Sequence, residues 1–297
     1  QGYEPKMAAG VVAISGTLAM LIPPSVALVI YGLLAEVNIG KLLIGGIIPG
    51  LLVTFAIMMT VLFLVWRDPS RAPRSPAVPW GEKIRLTRLV GPMLVLFGIV
   101  TIVIYTGIAT PTEASAIGAF GALMMAIFRG HVGRAQLVHA FTRAAHSSCM
   151  IAMILLGAHI FGYFFTLTQL TQGLVAWVGS LNVSPWVVMG LILVGYIILG
   201  SFMDQIAILV LTVPIVLPLI KSLGFDPLWF GVIKIVTAEV GMITPPIGLN
   251  CFIVARYAQR PVIEVFHGTF PHFIAHLIVI AIFLAFPSII LWLPSRM

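Results

Sequence analysis

Asp204 is the one aspartate that lies within the apolar runs of this sequence. An ionisable side chain at membrane depth is energetically costly, so it is a functional candidate by default. Gly200 and Ser201 precede it by about one helical turn, which places a carboxylate, a hydroxyl and a glycine-exposed carbonyl near one hard cation such as Na⁺, or near a proton. The spacing leaves both ions open. It also leaves open that Asp204 caps a helix or lies at the membrane interface.

A second group of polar atoms surrounds the proline pair Pro245 and Pro246, which interrupts an apolar run. Proline lacks an N–H and disfavours helix in the residue before it, so a helix that starts near Leu228 must end near Ile243. We predict that Thr244 is the N-cap of a new helix whose first turn holds both prolines. In hydrocarbon, broken backbone survives only where protein covers it or where it lines a cavity, and its free polar groups are available to an ion or anion.

The same interruption occurs near the start of the chain. Met20, Pro23, Pro24, Gly46 and Pro49 recur as Met242, Pro245, Pro246, Gly268 and Pro271, each pair 222 residues apart. Around the two breaks, oxygens and close backbone approach are offered by Ser25, Thr244, Gly248 and Asn250, and each new half-helix presents its positive end to an anion. Proline-kinked structural helices are the alternative. The repetition favours a binding site.

Other ionisable residues have structural explanations. Thr110, Pro111 and Glu113 have the spacing of a helix N-cap, N1 and N3, which predicts a capping box. Lys234 and Glu239 are five residues apart and so lie on different faces of a helix, which makes a mutual salt bridge unexpected. For each of the two, a snorkelling position at the membrane interface explains the charge as well as a functional role does.

The composition is that of a polytopic membrane protein. The 297 residues are 60% hydrophobic and 8% charged, with a mean hydropathy of +1.14, far from the roughly 25% charge of soluble domains. The net charge of +7 is no sign of nucleic acid, because the cations cluster in short loops around 67–88 and 129–134, which favours a cytoplasmic location for those loops. His159 is expected to be a core histidine. Cys149 and Cys251 lack CxxC spacing and are expected to be buried free thiols rather than zinc ligands.

The apolar runs predict the order of membrane segments. Residues 7–37 form a first broken hairpin, whose arms are shorter than the roughly 20 residues needed to cross a bilayer. An arm followed by a span is predicted at 39–66 and again at 261–292, and spans are predicted at 89–108, 114–128 and 136–170, with further membrane runs at 186–199 and 206–223. A repeat of 222 residues that starts near Leu89 implies on the order of 130 further residues upstream. We therefore expect the chain to be the C-terminal part of a longer protein.

Four stretches together resemble the large membrane subunit of tripartite ATP-independent periplasmic (TRAP) transporters. They are Ile22–Ser25, Ala109–Ala114, Gly200–Asp204 with Leu211–Pro214, and Gly241–Asn250. The resemblance covers essentially the whole chain and implies a secondary transporter, not an enzyme. It implies uptake of an organic acid with Na⁺ as coupling ion and no other cofactor, in a bacterial inner membrane. The implied partners are a small membrane subunit (Q) and a periplasmic binding protein (P).

The resemblance also implies the fold class and the sites. The fold is an all-α inverted-repeat elevator with two oppositely oriented re-entrant hairpins. The implied parts are a first hairpin at 1–38, an arm and scaffold helix at 39–66, a basic loop at 67–88, scaffold helices at 89–135, a transport domain with the second hairpin at 136–260, and an arm and scaffold helix at 261–297. Sodium is implied at Gly16, Thr17, Gly200, Ser201, Asp204 and Gly241, and substrate at Ser25, Thr244, Gly248 and Asn250.

Three other functions remain open at this level. A stand-alone Na⁺- or H⁺-coupled dicarboxylate carrier would share the architecture but need no binding protein. An intramembrane protease would need an aspartate pair, a Ser/His arrangement or HExxH, and the single intramembrane aspartate and the absence of HExxH argue against it. A structural membrane subunit is the third. The substrate stays open among C4-dicarboxylates, keto acids and sugar acids.

Overall fold

The computed structural model describes residues 2–73, 79–128, 133–181 and 183–297, and these parts are helical without a strand. The helices are α1 Pro5–Ser15, α2 Val26–Ala35, α3 Ile39–Gly45, α4 Ile47–Arg67, α5 Trp80–Tyr105, α6 Pro111–Phe128, α7 Arg134–Leu167, α8 Leu170–Ser180, α9 Pro185–Phe202, α10 Gln205–Ser222, α11 Pro227–Met242, α12 Leu249–Ala258, α13 Val262–Ala285 and α14 Ser288–Leu291. Parts of the predicted basic loops, 74–78 and 129–132, lie outside the described residues, as does Asn182.

Among the described residues, six helical segments are long and apolar enough to cross a membrane: Ile39–Arg67, Pro111–Phe128, Arg134–Leu167, Pro185–Phe202, Gln205–Ser222 and Val262–Ala285. Shorter apolar helices flank the interruptions, at Pro5–Met20, Val26–Ala35 and Leu249–Ala258. The polytopic membrane class predicted from composition and the all-α class implied by the resemblance are confirmed.

One segment prediction needs correction. The break predicted between the arm and the span at 261–292 is absent, because α13 runs without interruption from Val262 to Ala285 through Pro271. Helix α10 agrees with the membrane run predicted at 206–223 and continues through Pro214 and Pro218. A proline costs less in these helices because neighbouring helices and local adjustments can satisfy the freed backbone groups. Helix α8 was not predicted at all.

The helices divide into two compact units, Gln1–Pro73 with Ile160–Arg296, and Arg74–His159. This division does not test the predicted separation into transport and scaffold parts, which stays a prediction. In the second unit α5 packs against α6, and the capping box is confirmed: the Thr110 N–H donates to Glu113 Oε2 at 2.7 Å and the Glu113 N–H to Thr110 Oγ1 at 3.3 Å. Cys149 and His159 are exposed, so the predictions of a buried thiol and a core histidine are wrong there.

The two interrupted segments have equivalent bounds, as the 222-residue repeat predicts. Helices α1 and α11 begin at Pro5 and Pro227, which are 222 residues apart, and α2 and α12 begin at Val26 and Leu249. In the first copy the α-helix ends at Ser15 and continues as a 3-10 helix from Gly16 to Met20. Each copy is thus a helix, a break at the proline pair, and a second short helix.

Helix α11 is the centre of the first unit, since every residue from Trp229 to Met242 is buried. Helix α13 runs antiparallel to it, because the Trp229 indole donates to the Phe283 carbonyl at 3.2 Å and the Thr269 hydroxyl lies 3.4 Å from the Ile243 carbonyl.

Helix α2 is attached to the start of α11. The Tyr31 hydroxyl donates to the Pro227 carbonyl at 2.6 Å, and the Tyr31 ring occupies the space beside Gly231, where a Cβ would lie 2.3 Å from the ring. A side chain at residue 231 would therefore displace Tyr31, which is itself fully buried.

Candidate functional site

The break between α11 and α12 meets the carboxyl end of α9. The Gly248 N–H donates to the Ser201 carbonyl at 3.1 Å, which joins this break to the last turn of α9, just before α10 begins. Just before this junction the backbones of α9 and α11 touch. A Cβ at Gly200 would lie 2.6 Å from the Ala238 carbonyl oxygen, and one at Gly241 would lie 2.6 Å from the Gly200 Cα. Both positions therefore require glycine.

Helix α9 runs parallel to α11, so their carboxyl ends lie at the same level. The Lys234 ammonium sits 4.9 Å from the Tyr196 ring centre, and Gly241, further along α11, meets Gly200, further along α9. The carbonyl-bearing ends of α9 and α11 and the N–H-bearing starts of α10 and α12 thus converge. Carbonyl ends suit a cation and helix starts suit an anion.

The predicted N-cap at Thr244 is wrong. The Thr244 hydroxyl donates back to the Val240 carbonyl at 2.6 Å, and α12 begins only at Leu249, after Gly248 in the left-handed region at φ 54°. The reason is that Pro245 precedes another proline, which disfavours helical backbone at Pro245 itself. A hydroxyl that faces a carbonyl one turn earlier then finds its partner there.

The helix starts at the breaks differ in their capping. Ser25 caps α2 by accepting from the Leu28 N–H at 3.2 Å, and its hydroxyl donates to the Met20 carbonyl. The start of α12 has no side-chain cap. Asn250, half-buried, lies in that first turn. The Cys251 N–H already donates to the Gly248 carbonyl at 2.7 Å. The N–H groups of Leu249 and Asn250, at the start of α12, are therefore left for an anion, whereas both hydrogen-bonding functions of Ser25 are used within its own segment.

Asp204 is exposed and caps α10, one of the alternatives left open by the sequence. Its Oδ1 accepts from the Ile206 N–H at 2.8 Å and the Ala207 N–H at 3.1 Å. Because both bonds end on Oδ1, Oδ2 lies outside the cap and keeps its lone pairs. The Ser201 hydroxyl donates to the Ile198 carbonyl at 2.7 Å, so its oxygen is free to accept or to coordinate.

Lys234 and Glu239 are both fully buried, so the interpretation that they snorkel at an interface is wrong. The absence of a salt bridge between them is confirmed: among the described residues neither the Lys234 ammonium nor either Glu239 oxygen has a hydrogen-bond partner. Lys234 faces α9. Glu239 faces the opposite way, with the Thr17 side chain beside its carboxyl group.

The sequence did not predict that Cys251 and Thr269 support the end of α11. The Ile243 carbonyl, at the end of α11, lies 3.6 Å from the Cys251 sulfur and 3.4 Å from the Thr269 hydroxyl. Both side chains are buried, so the buried thiol predicted at Cys251 is confirmed. No spacing rule identifies such contacts, because Thr269 lies 26 residues from its partner.

The structure thus brings together four of the predicted site residues, Gly200, Ser201, Gly241 and Gly248, and packs Thr17 against α11. The contacts described for Ser25 and Asp204 remain within their own segments. A sodium ion fits the hydroxyl and backbone carbonyl oxygens of these four residues, which are hard ligands, and the Asp204 carboxylate follows at the N-cap of α10. Groups of three or more His, Cys, Asp or Glu side chains, which a transition metal would favour, are absent from the described part of the chain.

Six helical segments of membrane length and two interrupted apolar segments in the described part of the chain characterise a multi-pass membrane protein, and such interruptions are typical of transporters. A family model described as "Tripartite ATP-independent periplasmic transporter, DctM component" matches residues 1–289. The chain therefore belongs to the DctM family of TRAP transporter large permeases.

Relatives that are named after their substrates support the same family assignment. The chain is 33% identical to the C4-dicarboxylate TRAP transporter large permease protein DctM of Pseudomonas aeruginosa, over 99% of this chain and 69% of that protein. It is 30% identical to the sialic acid large permease SiaM of Vibrio cholerae, over 99% of the chain and 68% of SiaM. The isethionate permease protein DctMQ of Oleidesulfovibrio alaskensis is 32% identical over 88% of the chain and 41% of its own length.

Proposed function

We propose that a permease containing this chain imports an organic acid across the bacterial inner membrane, driven by Na⁺. The observation that carries the proposal is the hydrogen bond from Gly248 to Ser201, which joins the break between α11 and α12 to the carboxyl end of α9. It places the carbonyl ends and the uncapped start of α12 in one region. A cation and an organic anion are then bound by helix ends of opposite polarity.

The residues divide between the two solutes. Sodium would be held by the oxygens at Ser201 and Asp204 and by the backbone at Gly200 and Gly241. A separate sodium position would be formed at the first break by Gly16 and Thr17. The substrate carboxylate would be held by the N–H groups at the start of α12 and by Asn250. Gly248, Ser25 and Thr244, whose own donors already bond within the protein, would line the site.

The mechanism that we propose is an elevator with two re-entrant hairpins. The first hairpin, α1 and α2, and the second, α11 and α12, close over solute and ion and move as one unit against scaffold helices. Sodium drives this movement by binding more tightly to one of the two states, since a ligand shifts an equilibrium only through such a difference.

The proposed partners are a small membrane subunit and a periplasmic binding protein, by analogy with the relatives. The substrate is an organic acid, and the relatives' names already differ in theirs, with C4-dicarboxylate, sialic acid and isethionate. We therefore assign the class and leave the choice within it to the binding protein.

Uptake in proteoliposomes tests the proposal. The permease containing this chain, reconstituted with the small subunit, should accumulate labelled organic acid only with an inward Na⁺ gradient and only with the binding protein present. Asp204→Ala should abolish Na⁺-driven uptake. Asp68→Ala, which changes a carboxylate outside the membrane helices, should leave Na⁺-driven uptake unchanged. Uptake that ignores the binding protein would favour the stand-alone carrier, and unchanged Na⁺-driven uptake in Asp204→Ala would remove the site assignment.

A further inference from the structure

Glu239 is a buried carboxylate for which the described structure provides no partner. Its exposed fraction is 0% and both oxygens lack a hydrogen bond. The ion pairs among the described residues involve Glu4, Asp68, Glu82 and Glu264, and none includes Glu239. Buried charges in proteins are normally either paired or bound to a metal ion. The described contacts therefore leave the charge of Glu239 to be compensated by something else.

The nearest basic residue along α11 does not supply that compensation. Lys234 directs its ammonium at the Tyr196 ring on α9, 4.9 Å from the ring centre. Five residues along a helix amount to a rotation of about 140°, which places Glu239 away from α9. The 3-10 turn Gly16–Met20 of the first interrupted segment packs on α11, and the Thr17 side chain lies beside the Glu239 carboxyl group.

Thr17 provides a second oxygen ligand beside the Glu239 carboxylate. Its side chain is 1% exposed and its hydroxyl donates to the Ile14 carbonyl at 2.8 Å. The proton is therefore directed away from Glu239, and the oxygen lone pairs remain for another ligand. Gly16, just before it, is exposed, and a Cβ there would meet no atom within 4 Å, so the backbone at this turn is open to an ion.

We propose that the Glu239 carboxylate and the Thr17 hydroxyl together bind a sodium ion where the first interruption packs on α11. The inference rests on the proposed Na⁺ coupling and adds a charged ligand that the family motifs do not include. Hydroxyl and carboxylate oxygens are the donors that hard cations prefer. The ion would neutralise Glu239 and bridge the first break to the helix that carries the second.

Thermal unfolding of the purified permease tests this site without transport. A ligand that binds the folded state stabilises it by RT ln(1 + [L]/Kd), so the Kd for Na⁺ is obtained by fitting the melting temperature against NaCl concentration, with choline chloride keeping the ionic strength constant. We expect a Na⁺-specific rise and a fitted Kd that increases by about tenfold or more in Glu239→Gln, since the loss of a ligand contact of about 1.4 kcal/mol is a factor of ten. Glu239→Asp, which keeps the charge, should shift the Kd less.

A matched pair of threonine variants provides a second test if Glu239→Gln does not fold. Thr17→Val should raise the Kd for Na⁺, as Glu239→Gln does. Thr237→Val should leave it unchanged, because Thr237 is also buried and also donates to a carbonyl of its own helix, at 2.8 Å from Ile233. A Thr17→Val Kd for Na⁺ equal to that of Thr237→Val overturns the site.

The same titration separates this inference from the proposed function. If the unmodified protein shows no Na⁺-specific rise, sodium coupling fails and the Glu239 site fails with it. If the rise is present and Asp204→Asn weakens it while Glu239→Gln does not, the proposed coupling stands and the Glu239 site is refuted. A carboxyl group that is merely a neutral packing residue gives that second result, because glutamine replaces it in shape.

Discussion

Replacement of Gly200 by alanine should separate α9 from α11 and disturb the proposed site without removing any polar group. The added Cβ would lie 2.6 Å from the Ala238 carbonyl oxygen and 2.9 Å from the Gly241 Cα. Ordinary van der Waals contact begins at 3.4 Å, so the two backbones must move apart by about 0.8 Å. The obstacle is backbone, which cannot rotate away as a side chain could.

The expected cost follows from overpacking. Extra methyl groups in a packed core cost about 1–3 kcal/mol, and alanine returns up to about 1 kcal/mol of helix propensity. Gly195→Ala is the matched control, since Gly195 lies in the same helix and a Cβ there would meet nothing within 4 Å. It receives the propensity gain without the clash. We expect the two variants to differ by about 1–3 kcal/mol in the free energy of unfolding.

Thermal denaturation of both variants in one detergent, at one scan rate, is the measurement, because membrane proteins commonly unfold irreversibly and only matched scans compare. Gly200→Ala should melt below the unmodified protein and Gly195→Ala at or above it. Sodium-driven uptake should fall in the first variant alone, because the Ser201 carbonyl moves away from Gly248. Equal melting temperatures and equal uptake for the two alanine variants would refute the close contact.

Three further predictions concern local structure. Thr110→Ala should destabilise the start of α6 by about 1 kcal/mol, the usual value of an N-cap, seen as faster amide exchange in its first turn but not in its last; unchanged exchange would contradict the capping box. Hydrogen bonds from the side chains of Ser70 and Arg71 lower the pKa of Asp68, so the turn at Pro69–Arg71 should be stabilised above the ordinary aspartate pKa of about 3.9 and lose that stabilisation as the pH falls through the lowered pKa. The protection of the Ser70 amide against hydrogen exchange, relative to an unstructured peptide at the same pH, should then decrease at low pH. Asp68→Asn should remove this pH dependence. Protection that does not change with pH in the unmodified protein would contradict the prediction. Trp229→Phe should cost about 1 kcal/mol by leaving the Phe283 carbonyl without its donor, and should lower the melting temperature more than Trp66→Phe, whose indole is exposed.

The sequence allowed the break positions to be predicted because proline acts locally. The end of α11 near Ile243 and the capping box at Thr110 both depend on residues within four positions of one another, where backbone chemistry leaves few alternatives. The repeat of 222 residues likewise agrees with the starts of α1 and α11, which are 222 residues apart.

What could not be predicted depends on contacts between distant helices. The start of α12 follows from the conformation of two successive prolines and from Gly248 meeting Ser201, 47 residues away. The complete burial of Lys234 and Glu239 follows from α9, α13 and the first break surrounding α11. A single sequence shows charge and spacing along one helix, but not which neighbours cover it.

The fit of the Tyr31 ring beside Gly231 has a consequence for how these proteins diverge. The two positions share one volume, so neither is free to vary alone. Among permeases of this fold, an alanine or larger residue at the position of Gly231 should be accompanied by a smaller side chain at the position of Tyr31, and the hydroxyl contact with residue 227 should disappear from the same sequences.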